Sequence, residues 1–321
     1  MPSLSAAAPS PAHGPISRVA RWLNAMPHPA CVVEIAAHRV AAARWGKVRG
    51  QLDSFAVEPL PTGAVMPSPV DANVPQPEAL KFALRRLFAR VPHHGAPMTI
   101  LIPDPVVRVF ILPFETLPRS AAEALPLLRW RLKKSVPFDM DETVVSWMRQ
   151  QGRDAKIEVM AAVARQRIIR EYEQAIESLG ASAGVVLGST LASLPLLEDR
   201  GATLLIRLSG KTLTTVIARG SNLCVYRSSE ISSDLTPHAM LDEIFPAIAY
   251  YQDTWGESVD RGRLAGFGSR DEVFRTALAD ELSVPVGPLA DAVDSLHLGS
   301  GVRDLILQDL DALVGWTMNR G

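Results

Sequence analysis

The stretch SAAEALPLLRWRLKKSVPFDMDETVVSW, residues 120–147, contains a helix start, an amphipathic run and a stop signal in close succession. Ser120 and Glu123 form the Ser-x-x-Glu pattern of a helix N-terminus, where each side chain accepts a hydrogen bond from a backbone N–H. One face then collects residues at helical spacing: Ala124, Leu127, Leu128, Arg131 and Leu132. The pattern predicts an amphipathic helix.

The end of this predicted helix is basic. Its cations are Arg129, Arg131, Lys133 and Lys134. Positive charge is favourable beside the carbonyls of a helix C-terminus, and Pro137 is expected to stop the helix because it cannot continue the backbone ladder. Phe138 and an acidic turn follow, and the β-branched run 143–147 predicts a strand. A basic helix, a Pro-Phe corner and a strand indicate a compact unit that docks another molecule.

The composition of the 321-residue chain is that of a globular protein, with 47% hydrophobic and 21% charged residues. The net charge of −1 gives no basic field for nucleic acid, so no nucleic-acid partner is expected. No apolar run reaches the roughly 18 residues of a membrane helix, and the first 15 residues lack the pattern of a secretory signal. Cys31 and Cys224 lie in apolar strand-like runs, which predicts buried, reduced thiols.

Strands and helices recur in two similar halves, each beginning with a strand meander that leads into a helix. The predicted organisation is a disordered or short amphipathic segment over 1–27, a first lobe over 28–118, an inserted subdomain with return helices over 119–200, a second lobe over 201–299, and a C-terminal helix over 300–321 that returns to the first lobe. This order predicts an α/β protein with two matching lobes.

Residues 120–147, called the docking stretch from here on, also resemble a known family. A tryptophan-containing helix, a Pro-Phe pair, an acidic turn and a strand, as in LRWRLKKSVPFDMDETVVSW at 128–147, are similar to the insertion subdomain of PilM, the actin-like cytoplasmic protein of type IV pilus assembly. AYYQDTW at 249–255 resembles the helix before that family's adenine-side loop, and ALVGWTMNR at 312–320 resembles its terminal helix. The GspL cytoplasmic domains of type II secretion share the architecture. The resemblance implies an actin-like (ribonuclease H-like) two-lobe fold with an inserted α+β subdomain.

An actin-like fold implies ATP between the lobes, where two strand-turn-strand units each supply an acid for Mg²⁺ and a glycine for phosphate. In the first unit Glu34 keeps the acid, but Ala36 replaces the glycine and puts a methyl group where the backbone would meet phosphate. Ala37 and the bulkier His38 and Arg39 follow. The first phosphate turn is therefore altered.

In the second unit Arg207 replaces the acid and Ser209 replaces the glycine, whereas the adenine-side turn keeps Gly266 and Gly268. An arginine in place of an acid that supports the metal removes an oxygen ligand, and its positive charge repels Mg²⁺. The resemblance therefore implies a degenerate site, and no cofactor is expected.

Two other interpretations of these residues remain open. Arg39, Arg207 and Lys211 could together neutralise the phosphates of ATP without a metal. Alternatively, Arg207 and Glu34 could simply pair with each other across a closed cleft.

No motif indicates catalysis or a metal centre. Ser209-Gly210-Lys211-Thr212 resembles the end of a phosphate-binding P-loop, but Leu205 stands at the leading glycine and a strand-like run follows instead of a helix. The sequence contains neither a His-Glu-x-x-His run nor a Gly-x-Ser-x-Gly elbow. No catalytic residue is predicted.

The resemblance implies a cytoplasmic adaptor, peripheral to the inner membrane, of a type IV pilus or a related secretion machine. In the PilM family, a groove between the first lobe and the insertion binds the N-terminal cytoplasmic segment of the membrane protein PilN. By resemblance, the groove here would be lined by Leu128, Arg129, Arg131, Leu132, Pro137 and Phe138. Other components of the pilus machine are further expected partners, and contact with the membrane would be indirect.

One alternative to the groove and two alternatives to the adaptor function stay open. The apolar stripe of the docking helix could be core and its arginines solvated, since such stripes usually are core. The chain could be a nucleotide-binding actin-like ATPase, or a small-molecule kinase of the same superfamily. The kinase is disfavoured because the phosphate turns lack glycine and no catalytic acid is evident.

Overall fold

The computed structural model describes residues 29–46, 51–152, 156–198, 200–220, 222–232, 234–296 and 301–318. The segment predicted over residues 1–27 lies outside this range. The strands of the described residues form two five-stranded sheets and one three-stranded sheet. Helices cover the sheets, as expected for an α/β protein.

The first lobe is built on the five-stranded sheet that contains the N-terminal strands. Its strands are β1 (Cys31–Ile35), β2 (Arg39–Trp45), β3 (Leu52–Pro59), β4 (Pro97–Ile102) and β8 (Ser182–Gly188), in the order β3-β2-β1-β4-β8. Helices α1 (Pro77–Arg90) and α3 (Gln166–Glu177) pack on one face through leucine, isoleucine and tyrosine side chains. Because β1 is central and covered on both faces, all five of its residues are buried.

The three-stranded sheet forms the inserted unit. Strands β5 (Arg108–Phe114), β6 (Thr143–Gln151) and β7 (Ile157–Arg165) pair antiparallel in the order β5-β7-β6. The docking stretch forms helix α2 (Ala121–Leu132), which buries Ala124, Leu128 and Leu132 against this sheet. The pairing of β5 favours starting the inserted unit at residue 108 rather than 119, and the division of the chain into units remains a proposal.

The ends of α2 differ in detail from the prediction. Ser120 is the N-cap residue, but its side chain makes no capping hydrogen bond. The helix ends at Leu132, before Pro137, because the Ser135 N–H bonds to the Leu132 carbonyl at 2.8 Å and closes a turn. Proline therefore follows the stop and does not cause it.

The second lobe repeats the topology of the first. Its strands are β9 (Ala202–Ser209), β10 (Thr212–Arg219), β11 (Asn222–Glu230), β12 (Arg261–Ala265) and β13 (Val286–Pro288), in the order β11-β10-β9-β12-β13. The central strand pairs antiparallel with the next strand along the chain and parallel with the fourth, in both lobes. Helices α5 (Pro237–Trp255) and α6 (Asp271–Leu282) pack on this sheet.

Short helices connect the lobes. Helix α4 (Ser189–Ser193) follows β8, and the C-terminal segment predicted as one helix forms α7 (Val302–Leu307) and α8 (Asp311–Thr317). Asp309 separates these two because it adopts the left-handed conformation, with φ of 62°. Helix α8 packs on α4 so closely that a Cβ on Gly315 would lie 2.2 Å from the Ala192 carbonyl oxygen. Glycine is therefore required at this crossing.

The inserted unit is also tied to the second lobe. The buried Gln150 side chain of β6 donates to the Leu223 carbonyl at 2.5 Å and accepts from the Leu223 N–H at 3.1 Å, as a neighbouring strand would. Cys31 and Cys224 are buried and form no disulfide, as predicted, and burial raises the pKa of Cys224 to about 12. No helix within the described ranges is long and apolar enough to span a bilayer.

Candidate functional site

The two lobes meet at a pair of equivalent β-hairpins. The β1–β2 hairpin closes around Ala37 and His38, and the β9–β10 hairpin closes around Gly210 and Lys211. Counting back from each two-residue turn, Glu34 on β1 and Arg207 on β9 occupy the same position. The resemblance expects an acid at both positions, so the second lobe carries a cation where the first carries an anion.

Arg207 lies at the centre of a buried ion cluster. Its Nη2 is 3.0 Å from Glu34 Oε1, its Nε is 2.8 Å from Asp311 Oδ2, and its Nη1 is 3.9 Å from Asp104 Oδ2. All four side chains are buried. Burial works to lower the pKa of Arg207, but the carboxylates of Asp311, Glu34 and Asp104 outweigh it and raise that pKa. Arg207 is therefore a permanent cation shared among three carboxylates.

Asp104 joins the lobes by hydrogen bonds as well as by charge. It accepts from the Thr190 N–H at 2.9 Å in the first lobe. From the second lobe it accepts from Thr214 Oγ1 at 2.9 Å and Tyr226 OH at 3.0 Å. Burial and the neighbouring Asp104 raise the pKa of Tyr226 well above its usual value, so this phenol stays a donor.

The turns of the two hairpins approach each other. A Cβ built on Gly210 would lie 3.7 Å from His38 Nδ1, which places the His38 ring against the opposing turn. Desolvation there, together with the charges of Arg39 and Arg207, lowers the pKa of His38, and Glu34 only partly opposes the shift. His38 is therefore neutral near pH 7.

Arg39 is engaged away from the cleft. Its guanidinium donates to the carbonyl oxygens of Gln308 and Asp309, which belong to the link between α7 and α8. It also lies 3.5 Å from Glu34 Oε2. Of the three cations considered as phosphate ligands, Arg39 and Arg207 are thus committed to protein oxygens. Lys211 is exposed at the tip of its turn.

A cavity of about 890 Å³ opens beside the ion cluster. One wall is the proline-rich loop at 60–71, and the other is the outermost strand β11 at 226–230. The start of β5, at 108–110, lies at its edge, and Asp104 and Arg207 contribute to its lining. The cleft therefore extends from the equivalent hairpins to the inserted unit.

The residues predicted for a nucleotide site separate into three groups. Ala36, Ala37, Ser209 and Lys211 line the cavity, and Glu34 and Arg207 pair with each other as one alternative stated. Gly266 and Gly268 are not part of its lining. A Cβ on Gly266, which has φ of +86°, would lie 1.8 Å from the Leu208 carbonyl oxygen, so packing against β9 alone accounts for this glycine.

The six residues predicted to line a partner groove separate into buried and exposed positions. Leu128 and Leu132 have no exposed surface and belong to the core between α2 and its sheet, because the sheet covers the apolar stripe. Arg129 donates to the Met140 carbonyl, and Arg131 lies over the Phe114 ring at 5.5 Å. Pro137 is exposed and Phe138 is partly buried. None of these six residues lines the large cavity.

Sequence reasoning missed Asp104, Asp311 and Tyr226, which complete the ion cluster. Asp104 carried one signal, since it follows a buried strand at the edge where ligand sites of α/β folds form. Asp311 and Tyr226 carried none, because only the fold brings them to Arg207. In the part of the chain that the structure describes, no group of three or more His, Cys, Asp or Glu side chains is placed to hold a metal ion.

No protein-family model and no curated protein sequence matches the chain. A chain of a PilM–PilN type IV pilus biogenesis complex matches its structure with a TM-score of 0.71 at 19% identity, over 91% of this chain and 98% of that one. A protein of unknown function with an actin-like ATPase fold, from Bacteroides thetaiotaomicron, matches with a TM-score of 0.51 at 12% identity, over 83% and 93%. The fold is actin-like.

The cytoplasmic domain of EpsL, an inner-membrane component of the Vibrio cholerae type II secretion system, matches with a TM-score of 0.46 at 12% identity, over 73% of this chain and 81% of that one. The predicted fold class is confirmed, and the resemblance to PilM is confirmed at the level of fold. At these identities the likeness concerns architecture, and the role of each site residue rests on the geometry above.

Replacing Arg207 with methionine should destabilise the chain strongly. The change leaves Glu34, Asp104 and Asp311 buried without their shared cation, and breaking a buried ion pair costs about 3–5 kcal/mol. Urea unfolding measures the loss. In the Glu34→Gln/Arg207→Met double variant the loss should be smaller than the sum of the two single losses. Additive losses, or a loss below about 1 kcal/mol for Arg207→Met, would contradict the cluster's role.

The stability of the chain should depend on His38 below pH 6.5. Because the folded-state pKa of His38 is lowered, the unfolded chain binds more protons at this site just below the usual histidine pKa of 6.5. The free energy of unfolding contributed by His38 is present above pH 6.5 and falls as the pH drops towards the folded-state pKa. The measurement is the unfolding free energy of wild type minus that of His38→Asn at pH 7.5 and 5.5. A difference independent of pH would show that the ring is not held neutral.

Proposed function

We propose that this chain is a non-catalytic adaptor of a type IV pilus or related secretion machine. In this proposal the cleft holds an extended segment of a PilN-like inner-membrane protein and no nucleotide. The observation that carries it is the position of Arg207, which neutralises Glu34 between the two hairpins while a large cavity remains open beside them.

The ion cluster opposes the binding of nucleotide with Mg²⁺. A divalent cation needs carboxylate oxygens that no other cation already neutralises, but Glu34, Asp104 and Asp311 each lie within 4 Å of the Arg207 guanidinium. A metal would have to displace that permanent cation or lie beside it, and both cost electrostatic free energy. The approach of the His38 ring to the turn at Gly210 further narrows the space between the turns that would hold phosphates.

The cavity favours an extended peptide. Strand β11 is the outermost strand of the second-lobe sheet, and β5 is outermost in the inserted sheet. Both contribute residues to the lining of the cavity, and an outermost strand leaves the backbone groups of one edge without a strand partner. An added peptide strand gains main-chain hydrogen bonds from such an edge and specificity from side-chain pockets. We therefore propose the cleft, and not α2, as the site of the peptide.

The structural likeness supports the proposed partner and location. The PilM–PilN complex, as its name says, contains PilN, and its matching chain shares this architecture over nearly its whole length. By extension we propose a PilN-like partner and a location at the cytoplasmic face of the inner membrane. Binding to that partner is what would bring the chain to the membrane.

The peptide proposal is tested with a labelled N-terminal cytoplasmic segment of the PilN-like protein encoded with this chain, by fluorescence anisotropy. Met66→Glu and Arg108→Glu, both in exposed lining of the cavity, should each weaken binding at least about tenfold, a loss of roughly 1.4 kcal/mol. The matched controls are Phe82→Glu and Arg85→Glu on the outer face of α1, where Phe82 is 59% exposed against 58% for Met66. The controls should bind like wild type.

A further variant separates the cleft from the docking helix. If the peptide lies along α2, Arg131→Glu should weaken binding and the cleft variants should not. That outcome, or the absence of any binding by the wild type, would remove the support for the cleft as the peptide site.

ATP with Mg²⁺ should leave the melting temperature of the wild-type chain unchanged. A ligand that binds the folded state at a hundred times its dissociation constant adds about 2.7 kcal/mol of stability, which differential scanning fluorimetry detects readily. The melting temperature is compared for the chain without nucleotide, with millimolar ATP alone, and with millimolar ATP and Mg²⁺. A Mg²⁺-dependent rise in melting temperature would favour the nucleotide-binding ATPase over the adaptor.

A further inference from the structure

The outer face of α2 carries an exposed tryptophan that the fold does not use. Trp130 is 76% exposed, the largest fraction among the exposed large hydrophobic side chains of the described residues, and Leu127, one turn earlier, is 44% exposed. Ala124, Leu128 and Leu132 already hold the helix on its sheet from the opposite face. Trp130 therefore contributes little to packing and leaves apolar surface in water.

The same stripe ends in positive charge. Lys133 and Lys134 lie one turn beyond Trp130 and are exposed. Neither forms an ion pair with any acidic side chain that the structure describes, whereas neighbouring Arg129 is engaged with Asp141 at 3.6 Å. An apolar centre with free cations at one end is thus presented to solvent.

The composition of this face suits a lipid surface, and no residue of α2 lines the large cavity beside the ion cluster. A tryptophan beside lysines is the composition that settles at the boundary between lipid headgroups and acyl chains, where the ring is half-immersed and the ammonium groups meet anionic headgroups.

We propose that the stripe formed by Leu127, Trp130, Lys133 and Lys134 contacts the surface of an anionic lipid bilayer. The contact is peripheral and weak by itself, because each lysine near an anionic surface strengthens binding only about fivefold. It becomes effective when another interaction holds the chain near the membrane, since tethering raises the local concentration. The inference goes beyond the proposed function and does not depend on peptide binding in the cleft.

The test is co-sedimentation of the full chain with sucrose-loaded vesicles at low ionic strength. Vesicles rich in phosphatidylglycerol should bind the wild type, and vesicles of phosphatidylcholine alone should not. Added salt should reduce the bound fraction. Trp130→Ser and Lys134→Glu should each weaken binding at least about fivefold. Both positions are exposed, so both variants should fold like wild type.

The matched controls are Phe82→Ser and Arg85→Glu on the exposed face of α1, which make the same kinds of change elsewhere. Both should bind vesicles like wild type. Subtracting the emission spectrum of Trp130→Phe from that of the wild type isolates the emission of Trp130. This emission should shift to shorter wavelength on vesicle binding, because the ring then enters lipid.

The proposal is overturned if anionic vesicles do not sediment the wild type, or if the α2 variants and the controls bind alike. It is also overturned if the α2 variants lose a protein partner while vesicle binding is unchanged, because the stripe is then a protein interface. None of these results alters the peptide affinity measured with the cleft variants, so the two proposals fail separately.

Discussion

The structure depends on neutralising one buried arginine. A guanidinium as deeply buried as that of Arg207 is tolerated only when carboxylates surround it. Those carboxylates come from β1, from the turn after β4 and from α8, which are remote in sequence. Satisfying Arg207 therefore requires the first lobe, the second lobe and the C-terminal helix to meet at one point. The closed arrangement of the lobes follows from this requirement together with the apolar packing around it.

The repeated topology of the two lobes explains why an arginine at position 207 stabilises their contact. Glu34 and Arg207 occupy equivalent places in equivalent hairpins, so a pair of like charges would repel unless a cation lay between them. With one acid exchanged for arginine, the two positions attract each other directly. The resulting ion pair supplies from the chain itself the positive charge that two facing acids would otherwise take from a metal ion.

Much of this architecture could be predicted from the sequence, and the failures have definite causes. Helical spacing located α2 and predicted that one face is buried, but spacing does not say which partner buries it, so Leu128 and Leu132 were assigned to a groove when their own sheet covers them. Residue types around Arg207 suggested a pairing with Glu34. Asp311, far along the chain, joins the cluster through tertiary packing that no local pattern encodes. Similarly, Gly266 matched a ligand-binding turn because glycine serves close packing and ligand approach alike.

A cleft fixed by an internal ion pair also differs energetically from one that a ligand must close. Where nucleotide holds two lobes together, part of the binding free energy is spent on ordering them. Here Arg207, Asp104 and Gln150 connect the lobes and the inserted unit whether or not anything is bound. The walls of the cavity are therefore pre-organised, and an extended segment would lose only its own conformational freedom on entering. Pre-organisation of this kind suits the adaptor proposed here, in which binding would depend on the availability of the partner and not on a nucleotide cycle.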